Sequence, residues 1–302
     1  MPGRRGACEV CDPARAHAPD VLAERHDGLV VRHGPAVAKA HAPGTDPAGH
    51  RVRVAVAGHP RLAGILLPPI PYAPAPLDGR PVTAWPYGSP VDPAAPEAAP
   101  WEEAATLLAR LHTVPPATLP APLPAMRGPA KAAAAIARIP APHDPAARVV
   151  LAAWRGLPAW ARDEAPGPRR ARLCHGDLHL GQLVRHPAPD GPWLLIDIDD
   201  LGLGDPAWDL ARPAAWYAAG LLSPDVWGRF LGAYRSAGGP AVAPDPEDPW
   251  PQLDVPARAL TVQTAALALA KSVAEQRDLD DVERMMVDSC ARITTLPPEL
   301  DA

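Results

Sequence analysis

The sequence predicts an α+β chain built as a small β-rich N-terminal lobe followed by a larger, mostly helical one. Two observations carry this. Short β-branched and apolar runs separated by turn residues crowd the first 86 residues, whereas apolar residues at three- and four-residue spacing dominate after residue 100. With 302 residues and 47% hydrophobic content, the chain is long enough for two lobes, each with its own core. The expected division is 1–86 and 87–302.

Residues 20–40 read as short strands. Within them Leu29-Val30-Val31-Arg32, the turn His33-Gly34-Pro35 and Ala36 to Ala40 form a hairpin pattern. Asp46 is placed to cap a helix reaching about Ala57. Ile65-Leu66-Leu67, bounded by Pro68-Pro69, and Pro81 to Trp85 read as two further strands. The lobe ends near Trp85-Pro86-Tyr87-Gly88, and residues 90–100 form a proline-rich connector.

Trp101 opens a helix reaching His112, with Ala104, Leu107, Leu108 and Leu111 on one face. Further helices are expected at 129–138, from Val149 to Trp160, across 206–234 with interruptions, from Arg258 to Ala274 and from Asp281 to Ile293.

Composition narrows the function classes. A formal net charge of −5 offers no basic field for nucleic acid or an anionic membrane, so any phosphate site must be local. No apolar window long enough to span a bilayer and no signal-peptide core is visible, and four cysteines make no disulfide framework for this length. The expected compartment is the cytoplasm. Cys8-x-x-Cys11 lacks a second pair at ligand spacing and reads as a terminus that is merely packed or disordered rather than a zinc or redox site. Lysine is scarce: Lys39, Lys131 and Lys271 are three of 29 basic residues, so a lysine at a strand end is unlikely to reflect composition alone.

The chemistry-bearing stretch runs from His175 to Asp209. His175-Gly176-Asp177 is followed by Gln182, an apolar hairpin, then Asp197-Ile198-Asp199-Asp200 and Gly204-Asp205-Pro206-Ala207-Trp208-Asp209. A hairpin between Leu183-Val184 and Trp193 to Ile196 brings Gln182 and Asp197 together at its open end. Phosphoryl transfer needs a carboxylate for the acceptor hydroxyl, oxygen ligands for Mg²⁺ and a cation on the phosphates. Asp177, the pair Gln182 and Asp197, and Lys39 supply these in turn.

These motifs resemble the aminoglycoside phosphotransferase and choline kinase superfamily, which has a protein-kinase-like fold. His175-Gly176-Asp177 and Gly204-Asp205-Pro206 through Asp209-Leu210-Ala211 match its fixed positions, and Ala109-Arg110-Leu111-His112 resembles the helix that leads from its hinge. The resemblance covers residues 20–295. It implies ATP or GTP and Mg²⁺ as cofactors, a small-molecule hydroxyl as acceptor (aminoglycoside, sugar or amino-alcohol), and Trp85 and Tyr87 in a hinge whose backbone bonds the adenine.

Three features depart from the family pattern. Gln182 replaces its asparagine, Glu24 to Gly28 holds a single glycine where a phosphate loop is expected, and no glutamate between Lys39 and Pro68 is available to pair with the lysine. The helix that should present that partner offers only Asp46 and His50. Asp199 and Asp200 crowd Asp197; alternation along a strand would send Asp197 and Asp199 to one face and Asp200 to the other. His175, Asp205 and Asp209 read as braces for the loop backbone, and His179 reads as outside the chemistry. The cluster Asp278, Asp280, Asp281 and Glu283 is either a solvated helix end or a recognition surface for a cationic acceptor. Two other readings stay open: a Ser/Thr kinase of peptide natural products, and a nucleotide-binding pseudokinase favoured by a partnerless Lys39.

Overall fold

The computed structural model describes residues 19–25, 28–72, 74–95, 98–167 and 171–297. Cys8 and Cys11 lie outside the described residues, as does part of the single-glycine loop. The chain divides into two compact units. The first comprises residues 1–99, 119–123 and 181–199, and the second 100–118, 124–180 and 200–302. The first unit therefore runs past residue 86 and takes in the later hairpin, because backbone pairing ties that hairpin to segments far upstream.

In the first unit, β1 (Asp20–Arg25), β2 (Gly28–His33), β3 (Ala36–Ala40) and β4 (Val82–Pro86) form an antiparallel sheet in that order. Gly34 takes φ +57° in the turn between β2 and β3, which glycine does at no steric cost. The helix α1 (Pro47–Ala57) starts where Asp46 accepts hydrogen bonds from the Ala48 and Gly49 amides, as the sequence predicts.

A second sheet of this unit runs β5 (Ser89–Pro90), β7 (Leu183–Arg185), β8 (Trp193–Leu195). Leu183 faces Leu195 in the antiparallel hairpin. Ile65 to Leu67 joins this sheet rather than the first: the Leu195 amide donates to the Ile65 carbonyl and the Leu67 amide to the Leu195 carbonyl, each at 2.9 Å. Leu62, Leu66, Leu183 and Leu195 are fully buried here. Each contributes about 1.5–3 kcal/mol of burial.

The second unit is helical apart from the short pair β6 (Arg172–Cys174) and β9 (Gly202–Gly204). Its helices are α2 (Trp101–Thr113), α3 (Gly128–Ile136), α4 (Pro145–Gly156), α5 (Ala207–Ala218), α6 (Pro224–Ser236), α7 (Trp250–Ala274) and α8 (Asp281–Ile293). Helix α4 begins four residues earlier than Val149 because Asp144 accepts from the Ala146 and Ala147 amides and Pro145 fits the first turn. It ends at Gly156, before Pro158, and the segment to Arg162 is a separate 3₁₀ turn. Helix α7 begins at Trp250 rather than Arg258. Pro256 lies within it, where the surrounding burial outweighs the one donor lost. Tyr234 and Phe230 of α6 are fully buried, and α2 packs on α6 as α5 packs on α7. Among the described residues, no helix is long and apolar enough to cross a membrane.

Candidate functional site

The first unit brings Lys39, Gln182 and Asp197 together. Beyond the last hairpin pair, the Ile196 amide donates to the Gln182 carbonyl, so the ladder runs one step past the strands. Gln182 Nε2 lies 3.5 Å from Asp197 Oδ2. Asp197 then leaves the strand with φ +64°, a region that Asp tolerates better than most residues and that recurs at functional sites. Asp197 and Asp199 do reach the same neighbour, as strand alternation predicts, but a turn brings them there. The Asp199 amide lies 3.3 Å from Asp197 Oδ1 while Ile198 is buried between them.

That shared neighbour is Lys39, in β3 opposite Thr83. Its Nζ lies 2.7 Å from Asp197 Oδ1 and 2.9 Å from Asp199 Oδ2. The acidic partner absent from α1 is thus supplied by Asp199, from the far end of the hairpin. His41 holds Asp199 in turn: its Nδ1 is 2.7 Å from Asp199 Oδ1 and its Nε2 is 2.7 Å from Thr83 Oγ1. Burial pulls the Lys39 pKa down, but the two carboxylates outweigh it and hold the pKa above the ordinary value. Burial pushes the Asp199 carboxyl up, and His41 and Lys39 overcome it, keeping the group well below the usual carboxylate range.

A hard cation suits this donor set. Asp197 spends Oδ1 on Lys39 and leaves Oδ2 toward the Gln182 amide, whose oxygen and nitrogen exchange by rotation of the terminal torsion. One carboxylate oxygen and one amide oxygen are the ligands Mg²⁺ takes. The expected hinge residues are largely engaged within the protein. Trp85 donates its indole N–H to Thr83 Oγ1 at 2.8 Å. The Tyr87 amide donates to the Pro35 carbonyl at 2.7 Å, and the Tyr87 carbonyl accepts from His186 Nδ1 at 3.1 Å.

Asp177 belongs to the second unit, in the loop that follows β6. Gly176 there has φ +86°, and a Cβ would stand 2.4 Å from the Asp200 carbonyl oxygen, so only glycine fits. Asp209, in the first turn of α5, braces this loop: it accepts from the His175 amide at 2.6 Å and the Gly176 amide at 2.7 Å. Asp209 Oδ2 also lies 2.9 Å from His112 Nε2. Burial raises the Asp209 carboxyl, but His112 and the loop amides outweigh it and keep it ionised. An ionised acceptor requires His112 Nε2 to donate; its Nδ1 lies 2.8 Å from Tyr234 Oη, and that oxygen accepts the Ala241 amide at 3.0 Å. The bracing role read for Asp209 from the sequence is the one the geometry shows.

Asp177 itself is held by two cations. Lys131 Nζ lies 2.7 Å from Asp177 Oδ2 and 2.7 Å from Asp200 Oδ2, and Arg212 Nη2 lies 2.9 Å from Asp177 Oδ1. Burial works to raise the Asp177 pKa, yet Lys131 and Arg212 keep it far below the ordinary range. Asp200 goes the other way, raised because burial outweighs Lys131 and Asp177 adds repulsion. For Lys131, the two carboxylates outweigh burial and raise the pKa.

Sequence reasoning gave no site role to Lys131, Arg212 or His41, and read Asp200 only as facing away from Asp197 and Asp199. The lysine scarcity that singled out Lys39 applied equally to Lys131. Arg212 stands three residues after Asp209, on the face of α5 next to the brace.

Comparisons with known proteins bear on the fold and the family. Among solved structures, a choline/ethanolamine kinase family protein from Mesorhizobium loti shares 16% identity over 94% of this chain and 88% of its own, with a TM-score of 0.57. The choline kinase LicA from Streptococcus pneumoniae shares 14% identity over 92% of this chain and 93% of its own, at 0.58. The GDP complex of aminoglycoside 2'-phosphotransferase-IIIa shares 16% identity over 93% and 94%, at 0.53. These likenesses show the kinase-like α+β fold. No curated sequence matches the chain. A model of the phosphotransferase enzyme family matches residues 25–250, a span that holds Lys39, Asp177, Gln182 and Asp197, and the chain therefore belongs to that family.

Proposed function

We propose that the chain transfers the γ-phosphate of ATP, or of GTP, to a hydroxyl of a small molecule. The observation that carries this reading is the contact of Lys39 with Asp197 beside Gln182: a phosphate-binding cation held against the residues suited to a metal. Relatives described as binding GDP, or ADP together with spectinomycin, support a nucleotide and a small acceptor. Trp85 and Tyr87 are assigned to the adenine side, with contacts through groups not already engaged in the protein.

Gln182 and Asp197 would hold Mg²⁺, which when bound supplies charge neutralisation on the phosphate oxygens. Lys39 binds the phosphates and returns to Asp197 and Asp199 when they leave. Asp177, ionised at neutral pH, accepts a hydrogen bond from the acceptor hydroxyl and aims its oxygen at the γ-phosphorus. A new O–P bond forms, the bond to the β-phosphate oxygen breaks, ADP leaves, and the hydroxyl proton passes by way of Asp177 to solvent. The low pKa of Asp177 makes it a weak base, so its main contribution is orientation.

A binding-only module would be favoured by a Lys39 without partners, and Lys39 has two. The net charge of −5 is in keeping with a cytoplasmic enzyme that binds neither nucleic acid nor membrane. The test is ATP-dependent phosphorylation across a panel of hydroxylated acceptors, with nucleotide binding read alongside. Asp177→Asn is expected to keep MgATP binding and lose transfer; full transfer by this variant would refute the assignment.

A further inference from the structure

Two features of the second unit bear on the charge of the acceptor. Three of the four members of the acidic cluster that could have received a cationic molecule are engaged by their own surroundings. Asp280 caps α8 and Glu283 closes the capping box. Glu283 also holds Arg277 in a two-pronged pair at 2.6 and 2.7 Å, and Asp281 pairs with Arg284. At Asp177, by contrast, the charges in excess are positive. Lys131 and Arg212 both contact its carboxylate, and Arg127 adds a third cation 3.6 Å from Asp200.

Arg212 also has donors to spare. Its Nε serves the Leu178 carbonyl at 3.0 Å and Nη2 serves Asp177, while Nη1 has no protein partner among the described residues. The Arg212 and Lys131 side chains are 19% and 26% exposed, so both can be reached from solvent. A guanidinium edge with a free Nη1 beside a lysine is suited to carboxylate or phosphate oxygens.

We propose that the acceptor carries an anionic group, a carboxylate or a phosphate, near the hydroxyl that Asp177 orients, and that Arg212 and Lys131 hold it. This rests on the phosphotransferase reading and narrows its substrate class away from aminoglycosides and amino alcohols.

The experiment compares acceptors that differ in one substituent: glycerol, glycerate, glycerol 3-phosphate and 3-aminopropane-1,2-diol, with glucose, glucuronate and glucosamine as a second set. Phosphorylated product is read by mass, and MgATP binding and acceptor-independent ATP hydrolysis are measured on the same protein. The anionic members are expected to exceed the ammonium members in kcat/KM by tenfold or more. Arg212→Gln is expected to erase that preference, mainly through KM, and Arg212→Lys to restore part of it; a purely structural Arg212 would lower all acceptors alike. Preference for the ammonium members, or a preference that Arg212→Gln leaves intact, overturns the inference. So does a protein that binds and hydrolyses MgATP yet phosphorylates no anionic member, an outcome that leaves the phosphotransferase reading standing. Failure to bind MgATP at all removes both.

Discussion

Replacing Asp209 with Asn tests the claim that one buried carboxylate holds the loop around Asp177. Asp209 accepts from three donors: His112 Nε2 and the His175 amide on Oδ2, and the Gly176 amide on Oδ1. Asparagine keeps the shape and offers a single acceptor oxygen. In its best orientation two bonds survive without charge assistance, and the new NH₂ faces a backbone N–H, donor against donor. Both partners of the Asp209–His112 pair have fully buried side chains, so solvent cannot compensate. One lost charge-assisted bond and one stranded donor come to about 3–5 kcal/mol. For a protein of this size that corresponds to a melting temperature lower by roughly 5–8 °C. The assay is calorimetric or fluorescence-monitored thermal unfolding without ligand, with urea unfolding as a check. Tyr234→Phe removes only the far end of the chain of bonds and should fall by less. A melting temperature for Asp209→Asn within about 2 °C of the wild type would refute the brace, since it would mean that the loop amides find other acceptors at little cost.

Three further outcomes are expected. Gly176→Ala forces a Cβ to within 2.4 Å of the Asp200 carbonyl oxygen at φ +86°, so soluble expression or melting temperature should fall sharply, and transfer with it. Lys39→Met removes the phosphate cation and leaves Asp197 and Asp199 facing each other. Steady-state kinetics with MgATP should show kcat/KM reduced by about 10²–10³-fold, and Lys39→Arg should not restore it, because a planar guanidinium does not replace a compact ammonium between two carboxylates. His50, buried on α1 with Nε2 unpaired, has its pKa lowered from 6.5 to about 4, by burial first and then by the nearby His41. The folded state therefore resists a proton that the unfolded chain accepts. Stability should be unaffected by this group above pH 6.5 and should fall by about 3 kcal/mol as pH drops from there toward 4; in urea titrations the stability of the wild type relative to His50→Leu should fall by that amount over the same range.

Much of the fold was legible because its signals are local. The cap at Asp46, the hairpin turn at Gly34 and the apolar spacing from Trp101 to His112 depend on residues a few positions apart. Boundaries slipped where a local rule was outweighed. The helix expected from Arg258 starts at Trp250 and passes through Pro256, because every residue from Leu253 to Gln263 is buried. Ile65 to Leu67 reads as a further strand of the small lobe, but its partner is Leu195, a pairing that no local pattern specifies.

The candidate site divides in the same way. Residue types and their spacing made Asp177, Gln182 and Asp197 candidates and lysine scarcity made Lys39 one, and the hairpin pattern said that Gln182 and Asp197 meet. Sequence reading could also show that α1 offers Lys39 no glutamate. It could not show that Asp199 takes that place, because the contact joins residues far apart along the chain and depends on a turn at Asp197 with positive φ. Nor could it show that Lys131 and Arg212 meet on Asp177, since each approaches from a separate helix. The sequence by itself determined the reaction class, through residue types at fixed intervals. Only the tertiary structure decided which charges neutralise which, because Coulomb pairing depends on distance through space and not along the chain.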